Sequence, residues 1–274
     1  MHKTDFSEFA VGTIFNEAKV TSRITLKRKK LTVAYPSRLE AMALDPAKIA
    51  DNNNLVYEAG QIDFCVSLFK YVTVEVDESS DRIQLSAQTP RKALAMHAAL
   101  LMQKALGFKH GLKIDVEDEV NLRHCGLGSS SSLIAGTAAA INELYGCPIA
   151  PLDLVRYCAQ NHGEEIDGDD TKLVPVQCIG GSGICGHFEG GLVILAGQAT
   201  PISTAKLPYD LKVVIGIPAD FEHPDSQQLM QAEVDNIGGF KTTGEQYGKN
   251  IAYRLIHSVV PRSLLHIERL GIPR

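Results

Sequence analysis

Asn121-Leu122-Arg123-His124-Cys125-Gly126-Leu127-Gly128-Ser129-Ser130-Ser131-Ser132 lies between a charged, strand-like run, Lys113 to Val120, and an Ala-rich run, Leu133 to Leu144. Two glycines let the backbone turn tightly and approach a ligand closely. Four serines follow, supplying hydroxyls where a helix begins. A helix start carries N–H groups without acceptors and a partial positive charge, so it suits an anion such as phosphate. An isolated Gly-Leu-Gly is more often a turn capping an ordinary helix. The flanking sequence decides between the two.

Upstream, Val20 to Val33 alternates around the basic turn Lys27-Arg28-Lys29-Lys30 and predicts two short strands, with the basic run as a solvated face. Pro36 marks a strand start, and Asp51 to Asn54 a loop. Strands are expected at 59–68, 71–76 and 82–87. Pro90 opens a helix, Arg91 to Leu106, that Gly107 closes. His97 on that helix reads as a packed residue. Leu112 to Val116 is a strand. After the glycine loop, Leu133 to Tyr145 is a helix stopped by Gly146 and Pro148, its small side chains suited to close packing. Leu152 to His162 is a further helix. Gly163 to Asp170 carries five carboxylates in seven residues, Glu164, Glu165, Asp167, Asp169 and Asp170. It is read as a loop with Asp167 to Asp170 in solvent, while Glu164 and Glu165 remain candidates for facing a cation. Gly180 to Gly191 is a second glycine-dense stretch, expected to be a set of turns ahead of the strand Leu192 to Leu195. A linker over 201–208, a buried strand over 211–218 and helices over 226–234 and 247–270 complete the reading.

Composition narrows the class. The 274 residues are 45% hydrophobic and 22% charged with net charge −5, which suits one large globular domain or two modest ones and implies no polyanion partner. The absence of Trp argues against a stacking platform for single-stranded nucleic acid. No run of 18 apolar residues is present, and Met1 to Asp5 is too polar for a signal peptide, so neither a membrane nor nucleic acid is an expected partner. Six cysteines without a CxxC pair read as reduced, mostly buried thiols in a cytoplasmic protein.

Three segments in order resemble the GHMP small-molecule kinase superfamily, the galacto-, homoserine, mevalonate and phosphomevalonate kinases. Pro36-Ser37-Arg38-Leu39 is similar to its first motif. Gly126-Leu127-Gly128-Ser129-Ser130-Ser131 is similar to its Gly-Leu-Gly-Ser-Ser-Ala phosphate loop and is the most specific match. Gly181-Ser182-Gly183-Ile184 followed by Gly190-Gly191 is similar to its third segment. The resemblance spans about residues 30 to 220. It implies an α+β, two-domain fold. Residues 1–205 would form an N-terminal domain of the ribosomal S5 domain 2-like type with a left-handed βαβ crossover. Residues 206–274 would form a ferredoxin-like C-terminal domain that is incomplete, since no further glycine-rich motif follows Gly239. It implies ATP held over Gly126, Leu127, Gly128, Ser129, Ser130 and Ser131. It also implies Mg²⁺ at Ser130 with Glu164 or Glu165, an active-site Arg38, and a small-molecule acceptor, with a homodimer as a possible assembly.

Two departures qualify what the resemblance implies. Where many of these kinases carry a catalytic Asp, this chain has Cys185-Gly186-His187. Homoserine kinases resemble it in this, working by positioning and charge stabilisation. His187 is a candidate base, with a packing role as the alternative. Further, Ser182-Gly183-Ile184-Cys185-Gly186-His187-Phe188-Glu189-Gly190-Gly191, together with His124, is similar to another branch of the superfamily, the β-ribofuranosylaminobenzene 5'-phosphate synthases. These use phosphoribosyl diphosphate rather than ATP. A kinase, a phosphoribosyl transferase-like synthase and a non-catalytic nucleotide-binding member therefore stand as the three readings.

Overall fold

A computed structural model describes residues 7–44, 60–119, 121–176, 178–188 and 191–223, with 225, 226, 228 and 232. Among these, nine strands and four helices follow one another as β1 (Phe9–Ala10), β2 (Lys30–Leu44), β3 (Gly60–Asp77), β4 (Ile83–Leu85), α1 (Lys92–Leu106), β5 (Gly111–Asp118), α2 (Ser129–Leu144), α3 (Pro151–Gln160), β6 (Gly163–Ile166), β7 (Asp169–Pro175), α4 (Gly181–His187), β8 (Leu192–Ala196) and β9 (Thr200–Ala205). The class is mixed α+β, as expected.

β3 is the spine of a six-stranded sheet. β2 pairs with it antiparallel from Lys30↔Glu75 to Leu44↔Gly60. The other edge of β3 is shared, β5 pairing with its second half and β8 with its first, and β9 extends from β8. β4 and β5 are parallel neighbours joined through α1. β1, β7 and β6 form a separate three-stranded sheet.

Helices α1 and α2 and the strands β2, β3 and β5 enclose the main core, in which Leu94, Leu101, Met102, Ile134 and Ile141 are fully buried. Each side chain of this size contributes about 1.5–3 kcal/mol on burial. The Ala-rich sequence of α2 has a packing cause. Tyr35 of β2 lies so close that a Cβ on Gly136 would stand 3.0 Å from its Cβ and Cγ. Small residues there let helix and sheet approach, and β2 becomes the wall against which the glycine loop is placed.

Several expectations are corrected. Val20 to Val33 does not hold two strands: Val20 makes an isolated bridge to Ile149, and β2 begins only at Lys30. Residues 60–77 are one strand, because Phe69 and Lys70, between the two expected segments, pair with Pro36 and Tyr35 of β2. The acidic stretch is a hairpin rather than a loop, β6 against β7, and it buries Glu164 and Glu165. The second glycine stretch contains helix α4, and 200–205 is strand β9 rather than linker. Residues 211–218 form no strand. Val214 is 92% exposed and Leu211 53%. An apolar run becomes a buried strand only where a sheet edge accepts it, and among the described residues none pairs with this one. All six cysteines are free, but only Cys158 and Cys185 are buried and Cys147 is exposed. The expected C-terminal domain and the helices of 226–234 and 247–270 lie wholly or mostly outside the described residues. Among the described residues no helix is long and apolar enough to cross a membrane.

Candidate functional site

Strand β2 bends where its register shifts, between Pro36 and Ser37 and again between Glu40 and Met42. Pro36 has no N–H to give to a ladder, so a bulge is where it is tolerated. Past the bend, the N–H groups of Arg38 and Glu40 are donated to the carbonyls of Leu127 and Gly126, at 3.3 and 3.1 Å. The glycine loop is thereby docked on the free edge of β2. Gly126 and Gly128 both take left-handed backbone, φ 79° and 61°. A Cβ on Gly128 would also collide with Ser182 Oγ and with the Arg38 side chain. Gly128 caps α2, and the first helical bond runs from the Ser132 N–H to the Gly128 carbonyl at 2.8 Å. The N–H groups of Ser129, Ser130 and Ser131 therefore have no acceptor within the helix.

This helix start opens on a cleft of about 360 Å³. Gly126, Gly128, Ser129, Ser130 and Ser131 line it, with Arg38, Glu40, His124, His162 and Glu164 around them. Leu127 is buried beneath. Ser131 Oγ lies 2.7 Å from Ser182 Oγ, which ties α2 to α4. The His124 Nε2 lies 2.8 Å from Ser226 Oγ.

Arg38 reaches the cleft from β2. Its Nη1 is 2.9 Å from Glu40 Oε2 and donates to the Gly126 carbonyl at 3.3 Å, and its Nε stands 3.5 Å from Asp63 Oδ1. Burial alone would lower the Arg38 pKa, but the charges of Asp63 and Glu40 outweigh it and raise it, so the guanidinium stays charged. Asp63 is fully buried and neither of its carboxylate oxygens has a hydrogen-bond partner. Burial pushes its carboxyl up to about 7, against the Arg38 charge. Sequence reading passed over Asp63 because it sits among alternating strand residues like any other.

His187 is the last residue of α4 and does not line the cleft, whereas Gly180 and Gly181 at the opposite end of that helix do. Its ring stands edge-on to Tyr35, 6.0 Å between centroids, and burial lowers its pKa. The expected base is thus held in packing.

The two candidate carboxylates meet an arginine that sequence reading had placed only as the first residue of a helix. Arg91 precedes α1 with left-handed backbone, φ 49° and ψ 56°. Its Nε donates to Glu165 Oε1 at 2.9 Å, its Nη1 to Ser129 Oγ at 3.0 Å, and its Nη2 to Ser130 Oγ at 2.8 Å and Glu164 Oε2 at 3.0 Å. Ser130 Oγ donates to the same Glu164 oxygen at 2.8 Å, and His162 Nε2 lies 3.2 Å from the other. Arg123 Nη1 adds a second donor to Glu165 Oε1 at 2.9 Å. Burial would raise the Glu164 pKa, but His162, Arg91 and Ser130 together hold it at about 2. One signal was legible. A cation at a helix start opposes the helix dipole, and no acidic residue in the first turn of α1 offsets it.

Ser130, Glu164 and Glu165 are therefore brought together as the resemblance implied, but as arranged they do not fit a magnesium ion. Magnesium needs oxygens at about 2.0–2.1 Å in near-octahedral array. Ser130 Oγ and Glu164 Oε2 are hydrogen-bonded directly to each other and both accept from Arg91 Nη2, so no gap for such an ion is left at these two oxygens. No group of three or more His, Cys, Asp or Glu suited to a metal occurs among the described residues.

Residues 93–174 match the family model of the GHMP kinases N terminal domain. Homoserine kinase of Methanococcus maripaludis is 29% identical over 93 residues, 34% of this chain and 27% of that protein. The 4-diphosphocytidyl-2-C-methyl-D-erythritol kinase of Caldicellulosiruptor saccharolyticus is 27% identical over 124 residues, 44% of this chain and 39% of that one. The chain thus spans well under half the length of these relatives. Among solved structures, mevalonate kinase of L. major aligns over 65% of this chain and 53% of its own, at 15% identity and TM-score 0.45. The matched segment runs from α1 to β7 and holds the glycine loop and the Glu164 hairpin.

Proposed function

We propose that this GHMP-type chain binds ATP with its phosphates over Gly126 to Ser131 and transfers a phosphoryl group to a hydroxyl of a small molecule. The observation that carries the reading is the cleft itself. It joins the free N–H groups of a 16-residue helix to the Arg38 guanidinium and excludes bulky side chains from the loop. Phosphoryl transfer asks mainly for positioning and for charge stabilisation around the transferred group, and donors held by a rigid backbone supply both. Arg38, pinned between Glu40, Asp63 and the Gly126 carbonyl, is the side chain best placed to touch the transferred phosphate. Glu40, beside it in the cleft, is the polar group offered to an acceptor hydroxyl.

A second reading is favoured by one observation. Of the two histidines in the synthase-like pattern, His124 lines the cleft, although His187 does not. In that reading the loop holds the diphosphate of phosphoribosyl diphosphate. Melting temperature separates the two, since a ligand bound only to the native state stabilises it by about 2.7 kcal/mol at one hundred times its Kd. The kinase reading expects a shift with ATP and ADP release with a hydroxyl acceptor, both reduced at least tenfold in apparent affinity or rate by Ser130→Ala. A shift with phosphoribosyl diphosphate and none with ATP would overturn it in favour of the synthase.

A further inference from the structure

We infer that the Arg91 guanidinium is the resident cation of this site: it occupies the place between Ser130, Glu164 and Glu165 that a divalent metal would take, and the protein supplies no metal ligand to the phosphate bound over the loop. The inference rests on the reading of the cleft as a phosphate site, but its evidence is independent of any ligand.

Three features converge. The first is saturation. Glu164 spends one oxygen on Arg91 and Ser130 and the other on His162, and Glu165 Oε1 receives both Arg91 and Arg123. Each of the two buried carboxylates is thus paired with a guanidinium, and Arg123 also reaches the exposed Asp167 at 3.4 Å. The second is containment. The Arg91 side chain is 6% exposed and the Glu164 and Glu165 side chains 12% and 9%, so the pair is not a surface contact that an ion displaces at little cost. The third is backbone. Arg91 holds left-handed φ and ψ, which a non-glycine residue adopts only where the surroundings impose it. Here that turn brings the side chain from the mouth of α1 onto the first turn of α2.

The consequence for ligand chemistry follows from hydrogen counting. A guanidinium has five N–H groups, and the bonds to Glu165, Ser129, Ser130 and Glu164 use four. The fifth, on Nη1, has no further partner among the described residues, and Arg91 itself lies behind the cleft wall that Ser129, Ser130 and Glu164 form. Arg91 is thus a positioning residue for Ser129 and Ser130 and a fixed positive charge beside the anion, with the planar, always-charged chemistry that suits phosphate. A divalent ion placed between Ser130 and Glu164 would have to expel it.

Manganese, titrated alone into the full chain and followed by its electron paramagnetic resonance signal, tests the inference without reference to activity. Wild type is expected to hold no manganese at this site up to 1 mM, on the order of the weakest protein cation sites. Arg91→Ala is expected to gain a bound ion that Arg91→Ala with Glu164→Gln loses. Manganese bound to wild type and lost in Glu164→Gln would overturn the inference. If Arg91→Ala does not fold, the comparison of wild type with Glu164→Gln still decides. Calorimetry with ATP provides the second arm. The fivefold change or less on replacing excess Mg²⁺ by EDTA expected here contrasts with the larger loss that a protein-held metal requires, and such a loss would count against the inference. If ATP binds in neither medium, the kinase reading fails, while the manganese arm on wild type still judges Arg91 by itself.

Discussion

Asp63 shows how one side chain can be shaped by its site. It is fully buried, faces Arg38 Nε at ion-pair distance without hydrogen-bond alignment, and crowds Gly181, where a Cβ would overlap its carboxylate. Its carboxyl is raised from an ordinary 3.8 to about 7 by burial. The native state therefore holds a proton that the unfolded chain releases near 3.8. Stability from this group is fully present below about pH 3.8 and is lost as pH rises through about 7. Asp63→Asn, which mimics the protonated form, is expected to remove that slope. It should equal or exceed wild type by about 1–3 kcal/mol at pH 8 and lose the advantage at pH 4, since each tenfold change in proton affinity is worth about 1.4 kcal/mol before the site relaxes. Urea midpoints at the two pH values measure it. A difference between the proteins that does not change with pH would show Asp63 to be ionised throughout.

Among the elements, α4 is where sequence and structure part most clearly. Six of the twelve residues from Gly180 to Gly191 are glycine, a composition that suggests turns, yet residues 181 to 187 form a helix wedged between β2, β3 and α2. The glycines serve proximity there. A Cβ on Gly186 would overlap the ring of Tyr35, whose hydroxyl donates to the Gly183 carbonyl at 3.2 Å. In an exposed helix, Gly→Ala is stabilising by about 1 kcal/mol. Gly186→Ala is expected to do the opposite and destabilise by about 1–3 kcal/mol through overpacking. Gly216→Ala, where nothing lies within 4 Å of an added Cβ, should stay within about 0.5 kcal/mol of wild type. Chemical denaturation of the three proteins checks both. A stabilised Gly186→Ala would mean that α4 does not pack against β2 as described.

At the scale of the whole molecule, the N-terminal segment is tied to the helical layer by two buried polar residues. The Gly12 N–H donates to His97 Nδ1 at 2.9 Å, and His97 Nε2 lies 2.6 Å from the Asn161 carbonyl, which fixes a neutral ring with its proton on Nε2. Asn161 Oδ1 accepts from the N–H groups of Phe15 and Asn16, and its Nδ2 donates back to the Asn16 carbonyl. Burial lowers the His97 pKa from 6.5 to about 4, against its bond to Asn161. A neutral native histidine and a protonated unfolded one make stability fall as pH drops from about 6.5 to about 4. His97→Gln, which keeps one acceptor and one donor, should flatten that fall by about 2–3 kcal/mol in a melting series from pH 7 to 4. An unchanged fall would place the titrating group elsewhere. The tie matters to the site, because α1 carries His97 and starts next to Arg91, and Asn161 directly precedes His162 and, after it, β6 with Glu164.

What the sequence determined by itself was local. Helices over 91–106, 133–145 and 152–162 were legible to within a few residues, since periodicity and the breakers Pro90, Gly107, Gly146 and Pro148 act on neighbouring backbone. The glycine loop was legible as a tight turn into a helix start because its physics, two turn glycines followed by serines, lies in consecutive residues. Tertiary structure decided the rest. It joined 59–68 and 71–76 into one strand through the register with β2, buried the acidic stretch as a hairpin, left His187 off the cleft and set Arg91 behind Ser129, Ser130 and Glu164. None of these follows from neighbours in the chain. A carboxylate is a metal ligand, a catalytic base or half of a buried ion pair according to what faces it, and Glu164 is faced by an arginine 73 positions away.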